Sequence, residues 1–210
     1  LAEGLATYYQ NILRARSGLL TPAQAWDRMR GSLTDAAATA YHDTLAEAAR
    51  SMHRTHGFDR IYWRGAVYWL SVDRDLRRAS GGKLSVETAL SRFRDCCLPS
   101  HHEWSPEDFV ARLDALLQVK TFSTRYREFS EMRHFPDWEK LYADLGIRSE
   151  SGRIVFVADA VDAEARDKIM TMPAPGGRWQ LRRPAPQTIT PLSRKRNSGA
   201  RRLSPTSSAG

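Results

Sequence analysis

The stretch FDRIYWRGAVYWLSVDRDLRRA, residues 58–79, carries the longest helical pattern in the chain and decides its fold. Its apolar residues recur every three or four positions from Ile61 to Leu76, while most of its charged residues lie off that stripe. A helix with such a stripe has to bury it against other elements. The stretch therefore predicts a long central helix, ended by the two glycines at 81–82.

Shorter helical patterns lie on both sides of this stretch. The other predicted helices cover residues 1–18, 23–30, one or two segments within 31–57, 85–97, 109–117, 124–132, 137–145 and 162–172. Thr21-Pro22 and Ser105-Pro106 suit helix starts, since the hydroxyl caps the helix and proline fits its first position. Residues 154–158 form the one clear strand pattern. We expect a mainly α fold, a helical bundle over 1–147 with at most one short strand in an extension at 148–172.

The net charge of +8 lies in the C-terminal tail. From Arg178 to the end the chain has eight basic residues and no acidic one, so residues 1–177 are electrically balanced. The tail is also rich in Pro, Gly and Ser, a composition that buries too little apolar surface to order the chain. We predict a disordered tail over 173–210. Two roles stay open for it: contact with nucleic acid or an anionic surface, or a solvated terminus.

The two cysteines, Cys96 and Cys97, are adjacent. We expect no disulfide between them, because neighbouring side chains point apart and the ring would be strained. They also lack a second Cys or His pair at metal-binding spacing, so we interpret them as small packing residues. No run of about 18 apolar residues occurs, which predicts no membrane span. The cellular location and the oligomeric state stay open.

Five short motifs follow one another in a family-like order and spacing: EGLATYY (3–9), RARSGL (14–19), YWRGA (62–66), DRDLR (73–77) and GKLS (82–85). In these motifs the chain resembles the glycyl aminopeptidases, a family of gluzincin zinc metallopeptidases, over residues 1–147. The resemblance implies the C-terminal helical half of a thermolysin-like catalytic domain. Members commonly carry a peptide-binding PDZ domain after it, for which the residues after 147 are too few and too polar. We expect either a variant without that domain or a sequence cut at both ends.

The resemblance implies two functional residues. Glu3 stands where the family has the glutamate that completes the zinc site. Tyr62 stands where the family has a tyrosine, and a neutral phenol there donates a hydrogen bond to the oxyanion that forms as water attacks a peptide carbonyl. Each has an ordinary structural alternative. A glutamate in a first helical turn is favoured by the helix dipole, and Tyr62 can belong to an aromatic core stripe.

Gly65 and Arg64 follow Tyr62 in the same motif. Gly65 is compatible with both interpretations, because a missing side chain lets either a neighbouring helix or a substrate approach closely. Arg64 replaces the lysine more usual in the family, a change that keeps the charge and alters its geometry. We assign it no catalytic role.

The rest of a zinc site is not encoded in the sequence. A zinc hydrolase uses about three protein ligands and one open position for water, and two ligands and the base would come from a His-Glu-x-x-His motif. None of the six histidines has that spacing: His42, His53, His56, His101, His102 and His134. We therefore expect a fragment of a zinc aminopeptidase that acts on peptides with small first residues. The 210 residues alone should be inactive and bind zinc weakly.

Two other functions stay open beside the peptidase hypothesis. A non-catalytic helical module would bind a protein partner through exposed aromatic side chains. The basic tail would bind nucleic acid or an anionic surface, and a chain ending at Met172 would then lose that affinity. Because residues 1–177 are balanced in charge, we expect no nucleic-acid binding except through the tail.

Overall fold

The computed structural model describes residues 1–38, 43–55 and 57–171, and within them the fold is mainly helical. The helices are α1 (Ala2–Arg16), α2 (Pro22–Ala37), α3 (Leu45–Thr55), α4 (Phe58–Ser80), α5 (Val86–Cys97), α6 (Pro106–Leu117), α7 (Thr121–Glu131), α8 (Trp138–Asp144) and α9 (Ala163–Met170). Two short strands, β1 (Ile147–Glu150) and β2 (Arg153–Phe156), separate α8 from α9. The prediction of a mainly α fold is confirmed. The predicted disordered tail, 173–210, lies outside the described residues.

The central helix of the fold is α4, as its sequence pattern predicts. Every residue from Trp63 to Arg74 is buried, so neighbours surround this part of the helix. It ends at Gly81, whose left-handed φ of 60° suits glycine and whose N–H donates to the Arg77 carbonyl. No helix in the described part of the chain combines the length and apolarity that crossing a membrane requires.

Helices α2 and α7 extend beyond their predicted ends. Helix α2 continues to Ala37, because its buried residues Trp26, Met29, Leu33 and Ala36 keep one stripe facing the core past residue 31. Helix α7 begins at residue 121, three residues earlier than its sequence pattern indicates. The Asp114 carboxylate, on α6, accepts hydrogen bonds from the first turn of α7 and so satisfies N–H groups that a helix start leaves unpaired.

The expectation of at most one strand needs correction. Strands β1 and β2 pair antiparallel, with Ile147 opposite Phe156. Ser151 and Gly152 join them with φ values of 48° and 75°, the two positive angles that a tight two-residue hairpin turn needs. The first strand escapes sequence analysis because only Ile147 in it is buried, so it shows no alternation of apolar and polar residues.

The segment after the hairpin packs on the helices that begin the chain. The Arg16 guanidinium, at the end of α1, donates from Nε to the Ile169 carbonyl in α9 at 3.0 Å. Arg78 of α4 forms a salt bridge with Asp162, the residue before α9. Residues 1–173 accordingly form one unit by their contacts. The other unit, residues 174–210, lies outside the part that the structure describes.

Cys96 and Cys97 are joined by a disulfide at the end of α5, with the two sulfurs 2.10 Å apart. The expectation that they stay unpaired was therefore wrong. Cys97 is the last residue of α5 and Leu98 is already extended, so the bridge lies where the helix ends.

Candidate functional site

Helices α1 and α4 touch backbone to backbone at Gly4 and Gly65. A Cβ placed on Gly4 would lie 2.6 Å from the Gly65 Cα, and one on Gly65 would lie 2.8 Å from the Gly4 Cα. Neither position has room for a side chain. Each glycine belongs to a motif singled out in the sequence, so this contact brings the two motifs together. Of the two approaches left open for Gly65, a helix or a substrate, the structure shows the helix.

Glu3 and Tyr62 flank this contact and line one cavity of about 200 Å³. Its further walls come from α3, α4 and α7 and include Leu45, Ala46, Ala49, Ile61, Tyr68 and Phe129. The two residues that the resemblance implies are functional thus face the same cavity. Glu3 lies on α1 and Tyr62 on α4, so α2 and α3 separate them in sequence. This is the arrangement required of two groups that act on one ligand.

The Glu3 side chain is exposed and lies in the first turn of α1. Within the described residues its carboxylate forms no salt bridge and no side-chain hydrogen bond, and the Thr7 hydroxyl bonds the backbone carbonyl of Glu3 at 2.8 Å. Its position at the helix start matches the helix-dipole explanation as well. The carboxylate is nevertheless accessible as a ligand for a bound group.

Three tyrosines line the cavity, and their hydroxyls differ in what they bind. The Tyr68 hydroxyl donates to the Phe122 carbonyl at 3.1 Å, and burial raises the pKa of this phenol. The Tyr126 hydroxyl donates to Glu107 at 2.8 Å, and burial raises its pKa to about 12. The Tyr62 hydroxyl makes no hydrogen bond within the described residues. Tyr62 is therefore the phenol whose donor is left for a ligand.

Tyr62 also lines a second cavity, of about 440 Å³, between α1, α2 and α4. The walls of this cavity are polar and include Thr7, Gln10, Asp35 and Asp59. The Tyr62 ring lies beside Phe58, with 6.2 Å between the ring centres. Tyr62 thus stands where an apolar and a polar cavity adjoin, the position of an edge residue rather than of a core stripe.

Arg64 points away from the cavity and has a structural role. It is 1% exposed, and its Nη2 donates to the Met132 carbonyl, just after α7, at 2.5 Å. Its Nη1 lies 3.5 Å from the Asp43 carbonyl, just before α3. Because α3 and α7 both supply cavity walls, Arg64 helps to hold those walls on α4. This role is not predictable from the sequence, since both acceptors are backbone atoms from distant segments.

A zinc ion does not fit the described residues as a complete site. In the ranges that the structure describes, no three His, Cys, Asp or Glu side chains lie together as a metal site would require. Zinc usually takes three or four protein ligands, and the cavity offers the Glu3 carboxylate. His101, His102 and His134 are exposed, while His42 and His56 lie outside the described residues. These residues can contribute one ligand to a larger site.

The chain matches no protein-family model and no curated protein. The geometry of the cavity and the motifs that line it are therefore the grounds for a functional argument. Both point to the same two side chains, Glu3 and Tyr62.

Proposed function

We propose that the cavity is the peptide-binding part of a zinc-dependent aminopeptidase site, in which Glu3 is a zinc ligand and Tyr62 stabilises the oxyanion. One observation carries this proposal. A carboxylate and a phenol hydroxyl that make no hydrogen bond and no salt bridge within the described residues line one cavity, at the point where their two motif glycines touch. The motif resemblance supports the reaction class and implies a peptide with a small first residue as substrate.

Tyr62 acts in this proposal as a hydrogen-bond donor. The phenol donates to the carbonyl oxygen of the scissile peptide as negative charge develops there. Such a donor counts most where water is excluded, and removing one costs about 10²–10³-fold in rate in other enzymes. Ile61 and Phe129 contribute apolar walls beside it, so a substrate that fills the cavity would displace water from the phenol.

Glu3 supplies one of the ligands that a zinc site needs, and zinc, when bound, supplies an activated water for hydrolysis. In this proposal two further ligands and the general base belong to polypeptide other than the described residues. The 210-residue chain alone is accordingly expected to be inactive and to bind zinc weakly. Tight, stoichiometric zinc binding by this chain would contradict the ligand count.

The Glu3 role is tested on the complete gene product that contains these residues, by metal analysis of the purified protein. We expect Glu3→Gln to lower its zinc content, because the amide is a much poorer ligand than the carboxylate. Glu139→Gln is the matched control, since Glu139 is also an exposed glutamate in a first helical turn, that of α8. Equal zinc content in all three proteins would show that Glu3 is no ligand.

The Tyr62 role is tested by kinetics on aminoacyl anilides with the same gene product. We expect Tyr62→Phe to lower kcat by about 10²–10³-fold with zinc content unchanged. Tyr126→Phe removes a phenol from the same cavity whose hydroxyl already binds Glu107, so kcat should change little. A similar loss in both variants would argue against an oxyanion role for Tyr62.

Partner binding is a second candidate, favoured by exposed leucines near the end of α1. Leu13 is 55% exposed and Leu19 is 77% exposed. Large apolar side chains that group on a surface mark contact sites. Light scattering on the 210-residue chain tests this candidate. Association that Leu19→Ser abolishes would support it, with Leu98→Ser, which changes another exposed leucine, as the control.

A further inference from the structure

The surface of the Glu3–Tyr62 cavity is mainly apolar. Leu45, Ala46, Ile61 and Phe129 present aliphatic and aromatic groups to it. Tyr68 and Tyr126 also present their rings, because their hydroxyls bind Phe122 and Glu107. Glu3 carries the one charged side chain among the described residues of the lining, and the Leu1 ammonium group lies near it. An apolar body with a polar group at one end is the ligand chemistry that matches such a surface.

The aromatic walls are held in place before a ligand arrives. The rings of Tyr68 and Phe129 pack edge to face, with 5.7 Å between their centres. Tyr68 is anchored at its hydroxyl on the first turn of α7, and Tyr126 is anchored on α6. The helices themselves cannot close further at one side, since Gly4 and Gly65 are already in contact. A preformed wall lowers the ordering cost of binding.

The size of the cavity sets the size of its occupant. Its volume of about 200 Å³ exceeds the roughly 150 Å³ of an apolar protein cavity that holds benzene. It is also below the roughly 300 Å³ at which pockets for drug-sized ligands begin. A single side chain of the size of leucine or phenylalanine fits between these limits. A hydrogen atom or one methyl group would leave most of the space unfilled.

We propose that this cavity binds the large apolar or aromatic side chain of the first residue of a peptide. The identity of the ligand as a peptide's first residue rests on the proposed function, whereas the preference for a large side chain rests on the walls and volume of the cavity. The inference differs from the small first residue that the resemblance implies. It names the substrate class of this site as peptides that begin with residues such as phenylalanine or leucine.

The test compares the binding of L-phenylalaninamide and glycinamide to the 210-residue chain. The two probes carry the same ammonium and carboxamide groups, so their difference isolates the side chain. Binding is measured by two-dimensional NMR titration with EDTA present, so that metal has no part in it. We expect L-phenylalaninamide to bind at least about tenfold more tightly, because it buries a whole aromatic side chain.

The variant Ala46→Leu tests whether this binding occurs in the cavity, because the larger leucine side chain fills part of the cavity volume. We expect the variant to bring the two affinities to within about threefold, with the fold checked by circular dichroism. Ala115→Leu makes the same change at an exposed position on α6 away from the cavity and should keep the tenfold preference. Should Ala46→Leu fail to fold, Ala49→Leu, on the next turn of α3, is the second variant.

Several results would overturn the inference. Equal affinity of the two probes, tighter binding of glycinamide or no binding of either would each do so. A preference unaffected by the Ala46 and Ala49 variants would place the site elsewhere. The proposed function fails separately, if Glu3→Gln leaves zinc content unchanged and Tyr62→Phe leaves kcat unchanged in the complete gene product.

Discussion

Helices α1 and α4 meet at two places, and the two places differ in whether the polar side chains there make hydrogen bonds within the protein. At the first, Gly4 touches Gly65, and the neighbouring Glu3 carboxylate and Tyr62 hydroxyl make no hydrogen bond and no salt bridge within the described residues. At the second, the Tyr8 hydroxyl donates to the Asp73 carboxylate at 2.8 Å in a buried position. The same two helices thus expose polar groups to a cavity at one point and satisfy them inside the core at the other.

The second place is a network of hydrogen bonds centred on Asp73, here called the Asp73 network. Asp73 is 2% exposed and accepts from the Tyr8 hydroxyl, the Arg77 Nε at 3.0 Å and the Val86 backbone N–H at 2.7 Å. These bonds join α1 and α4 to the first turn of α5. A buried network whose members are satisfied stabilises and specifies one arrangement of helices.

The two places have different roles in the fold. The Asp73 network holds α1 and α4 together, so the Gly4–Gly65 contact can position Glu3 and Tyr62 without using their polar atoms. A site for a ligand needs free groups on a rigid support. Here both helices supply the groups and the support, at points about one turn apart on α1 and about three turns apart on α4.

The largest loss in the free energy of unfolding is expected from Asp73→Ala, which removes the centre of the Asp73 network. The substitution leaves the Arg77 guanidinium, the Tyr8 hydroxyl and the Val86 N–H buried without their acceptor. Removing one partner of a buried ion pair costs about 3–5 kcal/mol. We expect a loss of this size in the free energy of unfolding, measured by urea titration. Asp59→Ala, at an exposed aspartate of the same helix, should cost less than about 1 kcal/mol. Similar losses in both would mean that the network does not hold the helices.

A smaller loss is expected from Gly65→Ala, which tests the other meeting place. The new methyl group would lie 2.8 Å from the Gly4 Cα, a backbone atom that cannot move alone. Forcing extra atoms into a packed contact costs typically about 1–3 kcal/mol, and we expect the upper part of that range. Gly31→Ala on α2 is the control. Its methyl group meets nothing within 4 Å, so the gain in helix propensity should stabilise the protein by roughly 0.5–1 kcal/mol. Equal effects would refute the close contact.

The fold was predictable where its causes are local in sequence. The spacing of apolar residues sufficed for α4, and the hydroxyls of Thr21, Ser85 and Ser105 cap α2, α5 and α6 as their positions indicate. The start of α7 was not predictable, because its cap is Asp114 on a different helix. Strand β1 was missed for a related reason. It is held by its pairing with β2 and shows too little apolar alternation to be recognised.

The candidate site was predictable only in part. The motifs named Glu3 and Tyr62, and the structure shows that they line one cavity, while their roles stay predictions. Gly4 was overlooked, although it adjoins Glu3 in the motif, because its partner at residue 65 is known only once the helices are packed. The walls from α3 and α7 were missed for the same reason. Side chains such as Leu45 and Phe129 carry no motif and acquire their place by tertiary packing.

Alkaline pH should weaken the Asp73 network through Tyr8. Burial, and next the Asp73 carboxylate, raise the pKa of Tyr8 well above that of a free tyrosine, near 10. A raised pKa in the folded state stabilises the fold fully below pH 10. This stabilisation falls above pH 10, by about 1.4 kcal/mol per pH unit for one tyrosine, until the folded-state pKa is reached. Urea titrations at pH 9, 10 and 11 should show a shallower decline for Tyr8→Phe than for the wild type. Parallel declines would exclude Tyr8 as a source of the pH dependence.

The smallest expected effect on stability is that of Tyr62→Phe. It is compared with Tyr68→Phe, which changes a second tyrosine of the same cavity. Tyr68→Phe removes the hydroxyl that donates to the buried Phe122 carbonyl, and such a loss costs about 1–2 kcal/mol. Tyr62→Phe removes a hydroxyl with no partner in the described residues, so the free energy of unfolding should change by less than about 0.5 kcal/mol. If Tyr62→Phe costs as much as Tyr68→Phe, the Tyr62 hydroxyl serves the fold. A hydroxyl that does not stabilise the fold is available to bind a ligand. The neighbouring Glu3 carboxylate is available in the same way.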